Sequence, residues 1–113
     1  MTKSTSNMIF IDGSLLIIEA MARAGAGAYI GYPITPVNRL FDGAKRRIPI
    51  ALEAPDEITA LQWSAGFSST GTFPVTASAF PGFALMIESL NMSFMMELPM
   101  VIILAQRLGP STG

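Results

Sequence analysis

The chain has 113 residues, half of them hydrophobic and 13% charged, with a net charge of −1 and neither cysteine nor histidine. That length bounds one domain, and the missing residue types exclude disulfides, cysteine-ligated iron–sulfur clusters, His-based triads and His-ligated zinc. No basic block suggests a nucleic-acid footprint, and so much apolar side chain in so small a domain predicts a buried interface with further chain or with a partner.

From the N-terminus, Ser4 to Asn7 reads as a polar lead-in and Met8 to Ile11 as a short extended apolar run. The apolar start faintly imitates a secretory signal, but Asp12, Gly13 and Glu19 interrupt the stretch that would have to be uncharged. Gly13 to Arg23 predicts a helix that Gly25 and Gly27 stop. Glu19 and Arg23 make one polar strip on it, and Leu15, Leu16, Ile17, Ile18 and Met21 predict burial on most other sides. Gly25-Ala26-Gly27 is not a dinucleotide fingerprint, because the glycines follow a helix instead of a strand.

Ala28 to Ile30 predicts a short strand, and Tyr32-Pro33-Ile34-Thr35-Pro36 an irregular stretch, since residues before proline avoid the helical region. Thr35 as N-cap with Pro36 as first helical residue predicts a helix running toward Lys45, closed by Lys45, Arg46 and Arg47. The same rigid loop could present the Tyr32 and Thr35 hydroxyls beyond a strand end. Ile48 to Leu52 reads as a strand, although Pro49 weakens it.

Asp56 and Glu57 open a further helix, where either a helix-capping or a site role fits the carboxylates. No charged residue occurs between Glu57 and Glu88, yet Gly66, Gly71, Pro74, Pro81 and Gly82 break that run, which argues against a membrane span. Phe73 to Ala77 predicts a strand, Pro81-Gly82 a turn, Phe83 to Glu97 a helix, and Met100 to Ala105 a central parallel strand. Gln106-Arg107 beyond it is either a surface polar pair or an anion-binding guanidinium at a ligand edge. The methionines Met86, Met92, Met95, Met96 and Met100 read as core or interface filler. The alternation predicts an α/β fold with a parallel sheet. Residues 1–12 form a lead-in, and residues 13–113 form a domain expected to be incomplete at its C-terminus, because the chain stops in a loop. A cytoplasmic protein is expected.

In order and spacing, Gly31-Tyr32-Pro33-Ile34-Thr35-Pro36, Asp56-Glu57-Ile58, Pro81-Gly82-Phe83-Ala84-Leu85-Met86 and Gln106-Arg107-Leu108-Gly109-Pro110-Ser111-Thr112-Gly113 resemble the alpha subunit of 2-oxoacid:ferredoxin oxidoreductases. The resemblance implies the three-layer parallel sheet, with helices on both faces, that binds the aminopyrimidine of thiamine diphosphate. It also implies oxidative decarboxylation of a 2-oxoacid, such as pyruvate or 2-oxoglutarate, to an acyl-CoA. Glu57 matches the glutamate that hydrogen-bonds the pyrimidine ring nitrogen and favours the cofactor's imino tautomer. Thr35 matches a threonine near the substrate, Arg107 an arginine facing the substrate carboxylate, and Tyr32, Pro33 and Ile34 the loop that shapes the cofactor pocket. No metal ligand is expected on this chain. The implied partners are a beta subunit carrying the diphosphate-binding domain, magnesium and an iron–sulfur cluster, and ferredoxin. The isolated chain is expected to be inactive.

Ala79-Phe80 replaces the family's usual Ser-Gly before Pro81-Gly82, Gly13-Ser14-Leu15 its Gly-Asn-Glu, and Val37-Asn38 its Ser-Ser. The Ala79-Phe80 change would narrow the pocket or alter a partner contact. Two other readings are a non-catalytic assembly module and a thiamine diphosphate decarboxylase that does not use ferredoxin.

Overall fold

The structure is a computed structural model describing residues 8–107. Helices and strands alternate: α1 (Gly13–Arg23), β1 (Ala28–Gly31), α2 (Asn38–Arg47), β2 (Ile50–Glu53), α3 (Glu57–Ser69), β3 (Pro74–Ser78), α4 (Phe80–Met95) and β4 (Val101–Leu104). All strand pairs are parallel, in the order β2-β1-β3-β4. The side-chain alternation of β1 sorts the two faces. Tyr29 packs with Ile18, Leu40 and Ala44 beneath α1 and α2, whereas Ala28 and Ile30 pack with Ala60 and partly buried Phe67 beneath α3. Helix α4 lies beside α3, so the sheet carries helices on both faces.

The helix ends explain the boundaries. The Asp12 side chain accepts the Ser14 amide at 2.8 Å and caps α1. At its far end Gly25 takes a left-handed φ of 99°, while Ala26 N–H donates to Met21 O and Gly25 N–H to Ala22 O, a Schellman closure. Helix α3 closes the same way at Gly71. Helix α4 closes so at Glu97, whose φ of 56° places a side chain where glycine is usual.

Several expectations are corrected. Pro36 lies outside α2: the Thr35–Pro36 peptide is cis, and Val37 N–H closes the turn onto Ile34 O at 2.8 Å. Proline at that turn position matches a type VI turn, so the helix starts at Asn38 and Thr35 is not its cap. Ile48 is the buried C-cap of α2, and β2 begins only at Ile50, opposite Ala28. Pro81-Gly82 is no turn but the first turn of α4, where a proline loses no helical hydrogen bond. β4 forms the sheet edge among the described residues, not its centre. Ile18 alone is buried in α1, with Leu16 and Ile17 exposed, and Met8 to Ile11 forms no strand. Ser4 to Asn7 and Leu108 to Gly113 lie outside the described residues.

Two consequences are measurable. Glu97→Gly removes the penalty of a left-handed side-chain-bearing residue and should stabilise the protein by about 1 kcal/mol, read as a higher urea midpoint. Glu19 joins α1 to α2 by accepting from Arg47 at 2.6 Å and from Arg23 at 2.9 Å. Arg47, then Arg23, lowers its carboxyl from 4.5 to about 2. A carboxylate lowered in this way adds stability above its ordinary pKa and loses it as pH falls through the folded value. Between pH 4.5 and 2, the melting temperature of Glu19→Gln should therefore fall less steeply than that of the wild type.

Candidate functional site

Because every strand is parallel, the segments after β1, β2, β3 and β4 gather at one edge of the sheet. The connection from β1 leaves over one face through α2, and that from β3 leaves over the other through α4. This divergence between neighbouring strands makes the crevice in which open α/β sheets hold ligands.

Asp56 and Glu57 divide the two roles that their sequence position allows. The Asp56 carboxylate accepts the Thr59 amide at 2.7 Å and caps α3, and the backbone N–H of Thr59 holds its pKa below the usual carboxylate value. Capping therefore does not occupy Glu57. That residue is buried, with 8% of its surface exposed, and its carboxylate makes no hydrogen bond or ion pair among the described residues.

Glu57 is walled in by α4. A Cβ on Gly82 would collide with Ser78 Oγ and stand 2.5 Å from Glu57 Cγ and 2.9 Å from Glu57 Oε2. The bare glycine lets the first turn of α4 lie flat on the glutamate. Ser78 Oγ is fully buried there without a hydrogen-bond partner among the described residues, as is Thr76 Oγ1 two residues earlier on the same side of β3. Sequence reasoning missed Ser78. Its signal was the placing of both hydroxyls of Pro74-Val75-Thr76-Ala77-Ser78 at every second position, hence on one face.

A second cluster joins the ends of β1 and β4. Arg107 Nη1 donates to the Thr35 carbonyl at 3.1 Å, across 72 residues of chain. The Thr35 side chain, Tyr32 and Pro33 are exposed at the edge, while Ile34 is partly buried against the core beneath α1 and α2 and anchors the loop. A cleft of about 320 Å³ lies beside Arg107, lined also by Phe80, Leu104, Ala105 and Gln106. A hollow of about 410 Å³ along α3 is lined by Gln62, Trp63, Gly66, Phe67 and Thr70, none of them a titrating acid or base near neutral pH. Among the described residues no group of His, Cys, Asp and Glu could hold a metal ion, and no helix is long and apolar enough to cross a membrane.

Over residues 19–113 the sequence matches the family described as pyruvate flavodoxin/ferredoxin oxidoreductase, thiamine diP-bdg. It is 34% identical over 110 residues to the 2-oxoglutarate synthase subunit KorA of Archaeoglobus fulgidus, covering 94% of this chain and 32% of that subunit. It is 42% identical over 121 residues to the 2-oxoacid:ferredoxin oxidoreductase subunit alpha of Saccharolobus solfataricus, covering 93% of this chain and 19% of that one. The fold superposes with a TM-score of 0.86 and 32% identity on the 2-oxoglutarate:ferredoxin oxidoreductase from Magnetococcus marinus, solved with 2-oxoglutarate, coenzyme A and succinyl-CoA bound. That match covers 93% of this chain and 19% of the other. The chain thus spans about a third or less of the length of these relatives.

The packing at Gly82 reverses the usual effect of removing a helical glycine. Gly→Ala inside a helix ordinarily stabilises by about 0.5–1 kcal/mol. Gly82→Ala should instead destabilise by about 1–3 kcal/mol, because Ser78 and Glu57 must both move. Urea denaturation gives the sign directly.

Proposed function

The chain belongs to the pyruvate flavodoxin/ferredoxin oxidoreductase family, in its thiamine diphosphate-binding domain, and on that premise we propose that it holds the cofactor's aminopyrimidine for a 2-oxoacid:ferredoxin oxidoreductase. In the proposed reaction the 2-oxoacid loses its carboxylate as carbon dioxide, its acyl group passes to the coenzyme A sulfur with release of the thiol proton, and two electrons pass to ferredoxin. The observation that carries the proposal is Glu57: a buried carboxylate, free of the capping role and without a partner among the described residues, at the ligand edge of the sheet.

These residues fit a planar heterocycle with hydrogen-bonding edges. Glu57 offers its oxygens to a ring nitrogen and can hold or share a proton there. The close seat of Gly82 fixes the approach of that carboxylate. Bound thiamine diphosphate supplies the electron sink for decarboxylation. Arg107 presents a planar, forked donor to the substrate carboxylate while its Nη1 holds the Thr35 carbonyl, which keeps the loop after β1 in place. The exposed Thr35 hydroxyl donates to the substrate at the same edge, and Tyr32 and Pro33 wall the cofactor side.

A beta subunit would carry the diphosphate-binding domain, magnesium and an iron–sulfur cluster, with ferredoxin as the electron acceptor. This chain has no cysteine to ligate a cluster. The relatives' names, subunit KorA and subunit alpha, support an assembly with further subunits.

The test is anaerobic, CoA-dependent reduction of a viologen dye by the assembled complex. Glu57→Gln should lower the rate about 100-fold or more with assembly intact, the scale of a lost acid–base group. Arg107→Lys should raise KM for the 2-oxoacid about tenfold, because a point charge replaces a fork. A cofactor-loaded wild-type complex that releases aldehyde without reducing dye would identify a decarboxylase. One that consumes no 2-oxoacid would leave an assembly role.

A further inference from the structure

We infer that the Ser78 hydroxyl positions the Glu57 carboxylate by donating a hydrogen bond to one of its oxygens, which leaves the other oxygen for the pyrimidine ring nitrogen. The inference rests on the function proposed above and deepens it. Ser78 is a positioning residue and touches neither cofactor nor substrate.

Three anchored pieces of backbone meet at this point. Ser78 ends β3, opposite Leu104, and its carbonyl accepts the Ala105 N–H at 2.8 Å. Glu57 opens α3 directly after the Asp56 cap, whose carboxylate accepts the Thr59 N–H at 2.7 Å. Gly82 lies in the first turn of α4, which Phe83 N–H closes onto Ala79 O at 2.9 Å. Side chains carried on backbone fixed in this way meet at a defined place.

The hydroxyl and the carboxylate border one gap. A Cβ on Gly82 would collide with Ser78 Oγ and stand 2.9 Å from Glu57 Oε2, so both oxygens flank the space that the glycine leaves empty. No hydrogen bond joins them as they stand, and rotation of the two side chains across that space makes one. Buried polar groups nearly always have a partner, and an exception calls for an explanation. Ser78 is 0% exposed, so neither solvent nor a partner chain reaches its hydroxyl, whereas Glu57 keeps 8% of its surface open. Of the two, only Glu57 can meet a ligand. A serine hydroxyl has one proton to donate. Given to one carboxylate oxygen, it holds the plane of the group while the second oxygen holds or shares a proton with the ring. Thr76 Oγ1 is equally buried and unpartnered among the described residues, but lies two residues farther back along β3. It provides the control.

The experiment uses the assembled complex, freed of cofactor, as wild type and as Ser78→Ala, Ser78→Cys and Thr76→Val. Each is titrated calorimetrically, with magnesium present, with thiamine diphosphate and with an analogue carrying C–H in place of the ring nitrogen that faces Glu57. Dye-reduction rates at saturating cofactor accompany the titrations. Ser78→Ala should weaken thiamine diphosphate about tenfold, the scale of a hydrogen bond to a charged group, and leave the analogue within about twofold. Its kcat should fall about tenfold, with KM for the 2-oxoacid within about twofold of the wild type. Ser78→Cys, a weaker donor, should fall between Ser78→Ala and the wild type. Thr76→Val should keep the wild-type preference for cofactor over analogue. A loss shared equally by cofactor and analogue marks a merely structural serine and overturns the inference. A preference that survives Ser78→Ala, or that disappears in Thr76→Val, overturns it as well. If Ser78→Ala does not assemble, Ser78→Cys decides by the same ratio. A wild type that binds thiamine diphosphate and the analogue alike removes the role of Glu57 and the inference with it. The expected shift in preference without dye reduction keeps Ser78 as a positioning residue and removes the proposed reaction, so the two failures are separable.

Discussion

The arrangement at the ligand edge depends on β1 and β3 lying side by side while their connections depart over opposite faces. Parallel pairing sets the loop after β1 next to the start of α4, and the divergence keeps both helices from closing the gap. Glu57 reaches that gap because α3 crosses from β2 to β3 over the face that α4 also covers. If β1 and β3 were separated by another strand, Glu57, Gly82 and the loop that Arg107 holds would not share one edge.

The two faces of the sheet are packed with different materials. Beneath α1 and α2 lie large side chains: Ile18, Tyr29 and Leu40, with Phe41 stacked on Tyr29 at 5.8 Å between ring centroids. Burial pushes the Tyr29 phenol well above its ordinary pKa, so it stays neutral in this layer. The other face also buries Ile30, Leu61 and Met86, but it carries many small residues: Ala28, Ala60, Ser64, Thr76, Ser78, Ser89 and Ser93. Small residues let α3 and α4 sit close to the sheet, and the close approach brings the backbone of Gly82 onto Glu57.

Legibility followed the range of the forces involved. Helix α1 was readable to the residue because its ends depend on local chemistry, the Asp12 cap and Gly25. The alternation that gives the fold was readable for the same reason. The start of α2 differs from the expected one because a proline suits the first helical position and a tight turn equally well, and here the turn closed by Val37 N–H onto Ile34 O precedes the helix. The edge position of β4 was hidden because an apolar run reports burial without reporting how many strands flank it. At the candidate site, ordered motifs singled out Glu57, Thr35 and Arg107. The hold of Arg107 on the Thr35 carbonyl and the contact of Glu57 with Gly82 were not legible, because each joins residues far apart in sequence through a backbone atom or a missing Cβ.

The link from Arg107 to Thr35 also orders events in time. A ribosome adds roughly 5–20 residues per second, so the guanidinium that fastens the first loop is made several seconds after that loop, 72 residues later. Glu57 meets Ser78 and Gly82 over much shorter stretches and can be seated first. A chain that folds as it is made can therefore complete its carboxylate-bearing wall before the guanidinium that fastens the loop after β1 exists.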